Sequence, residues 1–179
     1  MNGNYFIIHG SYGNPYKNWI PWLKTELSKR KKDVIVPHFP NLNYQRYDNW
    51  SKILDAYLEM GCINENTTFI THSLGSVFII KYILDRKIKI KKIITSAGFN
   101  NIYFDDDNSL YESFYMANID SKKIDMYVEK VVSFISSNDP FVSLEAGSSF
   151  ADDIGGLKVL VHDAKHFNNK EFMELLKYI

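Results

Sequence analysis

The sequence predicts an α/β fold: a three-layer α/β/α sandwich built on a central six-stranded, mainly parallel sheet. Three observations carry this expectation. Short β-branched apolar runs alternate along the chain with longer segments of helical period, the pattern of consecutive βαβ units. The apolar runs are continuous rather than alternating, as in strands covered on both faces. Several end abruptly in polar turns such as His9-Gly10-Ser11 and Thr71-His72-Ser73-Leu74-Gly75. At 179 residues, the chain falls in the range of a single domain, here residues 1–179. It can bury about 70% of the surface its unfolded form exposes, without help from a disulfide or a metal.

Tyr5 to Ile8 reads as a buried strand closed by His9-Gly10. Pro15 to Arg30 reads as a helix, with Trp19, Trp22, Leu23 and Leu27 on one face. Val34 to Val36 is a short second strand stopped by Pro37. Asp48 to Met60 is a second helix, with Asp48 as its cap and Gly61 as its end. Thr67 to Thr71 is the third strand, and the strongly apolar Leu74 to Leu84 the helix after it. Lys92 to Ser96, Val131 to Ser136 and Lys158 to His162 complete the strands. Val142 to Ile154 and Asn169 to Tyr178 read as the last two helices. Phe99 to Lys130 breaks the rhythm. It is too long for an ordinary βα connection and reads as a lid-like insert. Its triplet Asp105-Asp106-Asp107 reads as solvated loop, because adjacent acids point in different directions and make a poor cation cage.

Composition narrows the function classes. Twenty-one basic and twenty-one acidic residues cancel, so nothing electrostatic points to nucleic acid or an anionic membrane. No apolar run reaches the length of a membrane span, and MNGNYFIIHG lacks a basic leader. Cys62 is the single cysteine, which suits a reducing compartment, so a cytoplasmic location is expected. Following Gly61, Cys62 reads as a small residue packed on a helix end. His9-Gly10-Ser11-Tyr12-Gly13 is not the glycine pattern of a dinucleotide site, and no phosphate-loop lysine motif occurs. No cofactor and no metal are expected.

In an open parallel sheet, ligands gather at the carboxyl ends of the strands. A serine, an acid and a histidine fall there in chain order: Ser73, Asp139 and His166. A serine hydroxyl attacks poorly until a base takes its proton. His166 would be that base, and Asp139 would hold its tautomer. The oxyanion that follows needs donors already in place. The amide of Leu74, at a helix start, and that of Ser11 are the candidates. Each residue also has a plainer reading. Ser73 could be a helix cap, Asp139-Pro140 a helix start, and His9 and His38 hydrogen-bonded strand ends. His162 competes with His166 but lies in the last apolar run as a strand residue. The joint placement favours chemistry. Thr71 occupies the position where G-x-S-x-G turns carry their first glycine; Gly75 supplies the second. Trp19 and Trp22 are candidates for a substrate pocket, with core packing as their alternative.

Six stretches together resemble a known family: FIIHGSYGNPYKNWIPWLK, VIVPHFPN with the later NWSKIL, FITHSLGS, FISSNDPFVSLEAGSSFADDIGG and LVHDAKHFN. They are similar to the small serine hydrolases related to retinoblastoma-binding protein nine and the bacterial YdeN group. The resemblance implies a minimal α/β-hydrolase core lacking the first antiparallel strands of larger relatives, with Ser73, Asp139 and His166 as the triad. The expected function is hydrolysis of small esters, or amides or thioesters, through an acyl-enzyme, at a rate that rises as the imidazole loses its proton. The expected partner is a small ester-like molecule. The alternative is a protein-interaction module that keeps the hydrolase fold without turnover.

Overall fold

The structure, a computed structural model, describes residues 4–101 and 109–179. The Asp105-Asp106-Asp107 triplet, and with it part of the insert, lies outside these. The described residues form a six-stranded sheet of β1 (Tyr5–Ile8), β2 (Val34–Ile35), β3 (Thr68–His72), β4 (Ile90–Ser96), β5 (Val128–Ser136) and β6 (Leu157–Val161). Their order is β2-β1-β3-β4-β5-β6, and every pairing is parallel. The helices are α1 (Ile20–Lys29), α2 (Tyr47–Glu59), α3 (Leu74–Arg86), α4 (Ser109–Glu112), α5 (Ser121–Ile124) and α6 (Leu144–Ile154).

Why the strand runs are continuously apolar is visible in the register. Phe6 faces one core and Ile7 the other; Phe69 and Ile70, Ile93 and Ile94, and Val131 and Val132 divide in the same way. Successive side chains leave a strand on opposite faces, and here both faces are covered. One layer, built on α2, α3 and α6, contains Trp50, Phe78 and Phe150. The other contains α1, through Leu23 and Leu27, with Phe172 and Leu175 from the C-terminal segment. β6 departs from the expectation of burial on both faces. It is an edge strand, with a neighbour on one side only, and Leu157 and Leu160 are about half exposed.

Several boundaries differ from those the sequence predicts, each for a local reason. α1 starts at Ile20, not Pro15, because Asn18 has a φ of 56° and the chain turns from Asn14 to Trp19. Pro21 then sits in its first turn, where a missing N–H is harmless. Asp48 lies inside the first turn of α2 rather than capping it; Arg46 holds the cap position without a side-chain bond. α6 is capped by Ser143, whose hydroxyl accepts from the Ala146 amide, so Val142 stays outside. The last helix shrinks to a 3-10 helix, Met173–Tyr178. Phe172 is drawn into the core against Phe134 and Phe167 and takes a non-helical backbone, so no helix can run through it.

The connection after β4 ends earlier than expected, since β5 already begins at Val128. Its described part holds α4 and α5 and drives Phe114, Ile119 and Ile124 into the core beside α3. Cys62 follows the left-handed Gly61 and packs beside the core, its amide donating to Tyr57. Among the described residues no helix is long and apolar enough to cross a membrane.

Candidate active site

The chain runs from β1 outward to β2 and then crosses to β3, so β1 and β3 flank the point where strand order reverses. A crevice opens there in folds of this kind. Ser73 is the single residue between β3 and α3, with φ 54° and ψ −127°. A side chain in that region is strained by about 1–3 kcal/mol and persists only when its surroundings enforce it. Two glycines do so. A Cβ on Gly75 would lie 2.6 Å from the carbonyl oxygen of His9, and one on Gly10 would lie 2.7 Å from the Ser73 Cβ. Only bare backbone lets the β1 loop, the turn and the start of α3 approach this closely. Thr71, in the place of a first glycine, fits without conflict. It is fully buried, its Oγ1 is 2.9 Å from Ser76 Oγ, and it donates to the Ile94 carbonyl. The hydroxyl thus ties the strand to the first turn of α3.

Ser73 occupies the cap position of α3, yet its hydroxyl caps nothing. Instead its Oγ lies 3.0 Å from His166 Nε2, and His166 Nδ1 lies 2.8 Å from Asp139 Oδ2. Asp139 serves two ends at once. Its Oδ1 accepts from the amides of Phe141 and Val142 at 2.9 and 3.0 Å, while Oδ2 faces the imidazole. Asp139 therefore starts no helix, since Ser143 caps α6; its Oδ1 closes a tight turn ahead of that helix and leaves Oδ2 to the imidazole. Burial raises the Asp139 pKa, but the bond from His166 and the two amides outweigh it and hold the carboxyl below its usual range. An ionised Asp139 keeps the proton of the imidazole on Nδ1, so Nε2 is free to accept the Ser73 proton.

The loop carrying His166 is held by three bonds, two to Asn138 and one to His72. Lys165 donates its amide to Asn138 Oδ1 at 2.9 Å, and Asn138 Nδ2 donates to Asp163 at 3.1 Å. His72 Nε2–H donates to the carbonyl oxygen of His166 at 2.8 Å. Asp163, Lys165 and Phe167 all have positive φ, so the loop is sharply folded. His162 is exposed just past β6 and takes no part.

Two buried imidazoles flank the serine. Desolvation lowers the His72 pKa to about 4, with the neighbouring His166 adding to the effect. Burial likewise lowers His9 to about 4, against its bond to the Gly10 carbonyl. His9 Nδ1–H donates to Gly10 and Nε2 accepts from the Phe39 amide, so its hydrogen bonds are spoken for. Both rings are neutral near pH 7.

Ser73 and His166 open into a cavity of about 560 Å³ whose walls include Tyr12, Phe99, Tyr111 and Phe141. Its volume suits a small-molecule ligand. Ser11 lines the same cavity, and its amide has no acceptor among the described residues. Leu74 begins α3, so helix geometry leaves its amide without an intrahelical acceptor. Trp19 and Trp22, expected as pocket walls, lie elsewhere. Trp19 is buried edge-on between His72 and Phe172, and Trp22 packs beside the same cluster. Trp19 holds the cap position just before α1, and Trp22 sits beside the face that Leu23 and Leu27 bury. The aromatic part of the cavity wall comes instead from three segments distant in sequence, while Ile20 at the start of α1 also lines it.

Two residues here were invisible to sequence reasoning. Gln45 reaches Ser11 and Tyr12 from the β2–α2 connection, and no local pattern marks it. His72 anchors the His166 loop; only its place beside the serine hints at a role.

A family model described as Serine hydrolase matches residues 5–177. YdeN of Bacillus subtilis (strain 168) is 25% identical over 173 residues, which cover 96% of this chain and 89% of that protein. Its crystal structure superposes with a TM-score of 0.86, covering 99% of this chain and 96% of the other. Serine hydrolase RBBP9 of Rattus norvegicus is 23% identical over 176 residues, 97% of this chain and 91% of that protein. Est1E of Butyrivibrio proteoclasticus, solved with ferulic acid bound, shares the fold at 15% identity and a TM-score of 0.74, covering 99% of this chain and 86% of that one.

Proposed function

The chain belongs to the serine hydrolase family, and on that premise we propose that it cleaves small carboxylic esters through Ser73, His166 and Asp139, by way of an acyl-enzyme. The observation that carries this reading is the unbroken line of bonds from Ser73 Oγ to His166 Nε2, and from His166 Nδ1 to Asp139, beside an open cavity.

Ser73 Oγ attacks the ester carbonyl carbon while its proton passes to His166 Nε2. Asp139 stabilises the imidazolium across Nδ1. The carbonyl oxygen becomes an oxyanion and takes hydrogen bonds from the Leu74 and Ser11 amides. As the C–O bond to the leaving alcohol breaks, Nε2–H protonates that oxygen. Water then repeats the sequence on the acyl-enzyme, releasing the acid and restoring Ser73. The cavity size and its aromatic wall favour a compact, partly apolar ester. The chain's balanced charge favours a small-molecule substrate over nucleic acid or membrane.

The test is labelling with a fluorophosphonate, alongside a p-nitrophenyl ester assay. The parent should label at one equivalent and show a burst of nitrophenol. Ser73→Ala should do neither. Equal labelling of the two proteins would end the assignment.

A further inference from the structure

Gln45 is fully buried, on the short link between the 3-10 helix Leu42–Tyr44 and α2. Its Oε1 accepts from Ser11 Oγ at 3.0 Å and from the Tyr12 amide at 3.2 Å. An amide N–H can only donate, so the Tyr12 contact settles which end of the carboxamide faces the loop. Its Nε2 is buried and has no hydrogen-bond partner among the described residues. The same link makes a second hold: Asn41 Nδ2 donates to the Gly13 carbonyl at 2.8 Å. To deliver these groups the link carries Leu42 at φ 55° with its side chain largely exposed.

As a device for stability alone this arrangement is poor. Burying a carboxamide and leaving its NH₂ unbonded is costly, and an apolar side chain of the same shape would avoid the penalty. What the oxygen does achieve is local. It takes the side chain of Ser11 and the next peptide N–H together, which fixes the direction of the Ser11 side chain and the peptide that follows it. The Ser11 amide lies on that same short turn, itself closed by a bond from Gly13 N to the Gly10 carbonyl at 3.1 Å.

We propose that Gln45 is a positioning residue for the oxyanion-binding turn: its Oε1 holds residues 11 and 12 so that the Ser11 N–H faces the oxygen that becomes negative during attack by Ser73. The inference rests on the reading of Ser73 as nucleophile and assigns a second layer to that site. Donors aimed in advance stabilise developing charge without reorganising. Loosening the turn therefore weakens transition-state binding and spares ground-state binding.

The experiment compares Gln45→Leu with the parent on a p-nitrophenyl ester, with turnover expressed per site titrated by fluorophosphonate. An aryl trifluoromethyl ketone, whose adduct with Ser73 reproduces the oxyanion, is the probe of the hole. The expected result is a kcat per titrated site lower by about 10- to 100-fold, an unchanged KM and a Ki for the ketone raised by the same factor. Unchanged kcat per titrated site, or a loss carried wholly by KM, overturns the proposal. If Gln45→Leu does not fold, Gln45→Glu decides. It keeps an acceptor oxygen, but on ionising places a negative charge behind the hole. Its kcat profile should gain a limb that falls with rising pH; a profile parallel to the parent's across the range overturns the proposal. Failure of the parent itself to label would sink the nucleophile reading. Full labelling with undiminished turnover in the Gln45 variant sinks only the role of Gln45.

Discussion

His72 Nε2 lies 2.8 Å from the carbonyl oxygen of His166, and the residue after His72 is Ser73. The proposed nucleophile and the backbone of its proposed base are thus joined through one imidazole. The clamp closes a gap of 94 residues in sequence, at the place where a small displacement would spoil proton transfer. A reacting pair misplaced by about 1 Å can lose about 100-fold in rate.

His72→Phe keeps the ring's bulk between Trp19 and His166 but removes the donor. Its kcat should fall by about 10- to 100-fold, with KM little changed. His72→Gln, which can still donate to the carbonyl, should recover part of the loss. Turnover in His72→Phe equal to the parent's would show that the His166 loop holds its position unaided.

Asp139→Asn isolates the carboxylate. Oδ1 must go on accepting from the amides of Phe141 and Val142, so the new NH₂ group would face His166. The imidazole is then forced to carry its proton on Nε2 and cannot accept one from Ser73. A loss of about 10⁴ in kcat is expected with the fold intact. Steady-state kinetics beside a far-ultraviolet spectrum would check this, and a loss under about tenfold would contradict the tautomer argument.

Ser73→Gly exchanges function for stability. Glycine adopts the φ of 54° freely, so the strain stored at the turn is released. The variant should be inactive and more stable by about 1 kcal/mol in urea unfolding, the entropy of the unfolded glycine offsetting part of the gain. A variant less stable than the parent would mean that the turn is not strained.

Acid should unfold the protein in two stages. His9 and His72 are neutral when folded, with pKa values of about 4, against 6.5 when exposed. Below pH 6.5 the unfolded chain binds protons that the native state refuses, so stability falls until about pH 4. Each ring contributes up to about 3 kcal/mol to that fall. Asp139, held below the usual carboxylate range, adds a loss at still lower pH as its folded form is protonated. Unfolding free energies measured from pH 7 to 4 should slope less steeply in His72→Gln, by about one proton's worth, or 1.4 kcal/mol per pH unit. An identical slope would remove His72 as a source of the acid response.

How much of this was legible in advance depends on the range of each signal. The strands announced themselves because the sheet is covered on both sides, so that neighbours such as Phe69 and Ile70 are both apolar. The turn at Ser73 was readable because its demands fall on adjacent residues: an apolar run, a serine, a glycine, another apolar run. Asp139 and His166 could be placed because strand ends in a parallel sheet converge on one rim. Helix ends were less legible. The start of α1 depends on the φ of Asn18, and the last helix is cut short by the pull of Phe172 into the core.

By itself the sequence determined the layered parallel sheet, the order of its strands' functional ends and the identities of the three residues that meet there. Those follow from periodicity and turn chemistry, which act between residues a few positions apart. Only the tertiary structure decided that Trp19 packs in the core, that Phe99, Tyr111 and Phe141 wall the cavity, and that Gln45 and His72 bond to the loops of Ser11 and His166. Gln45 meets Ser11 across 34 residues and His72 meets His166 across 94. Contacts over such separations exist because whole layers pack against each other, and no short stretch of chain encodes them.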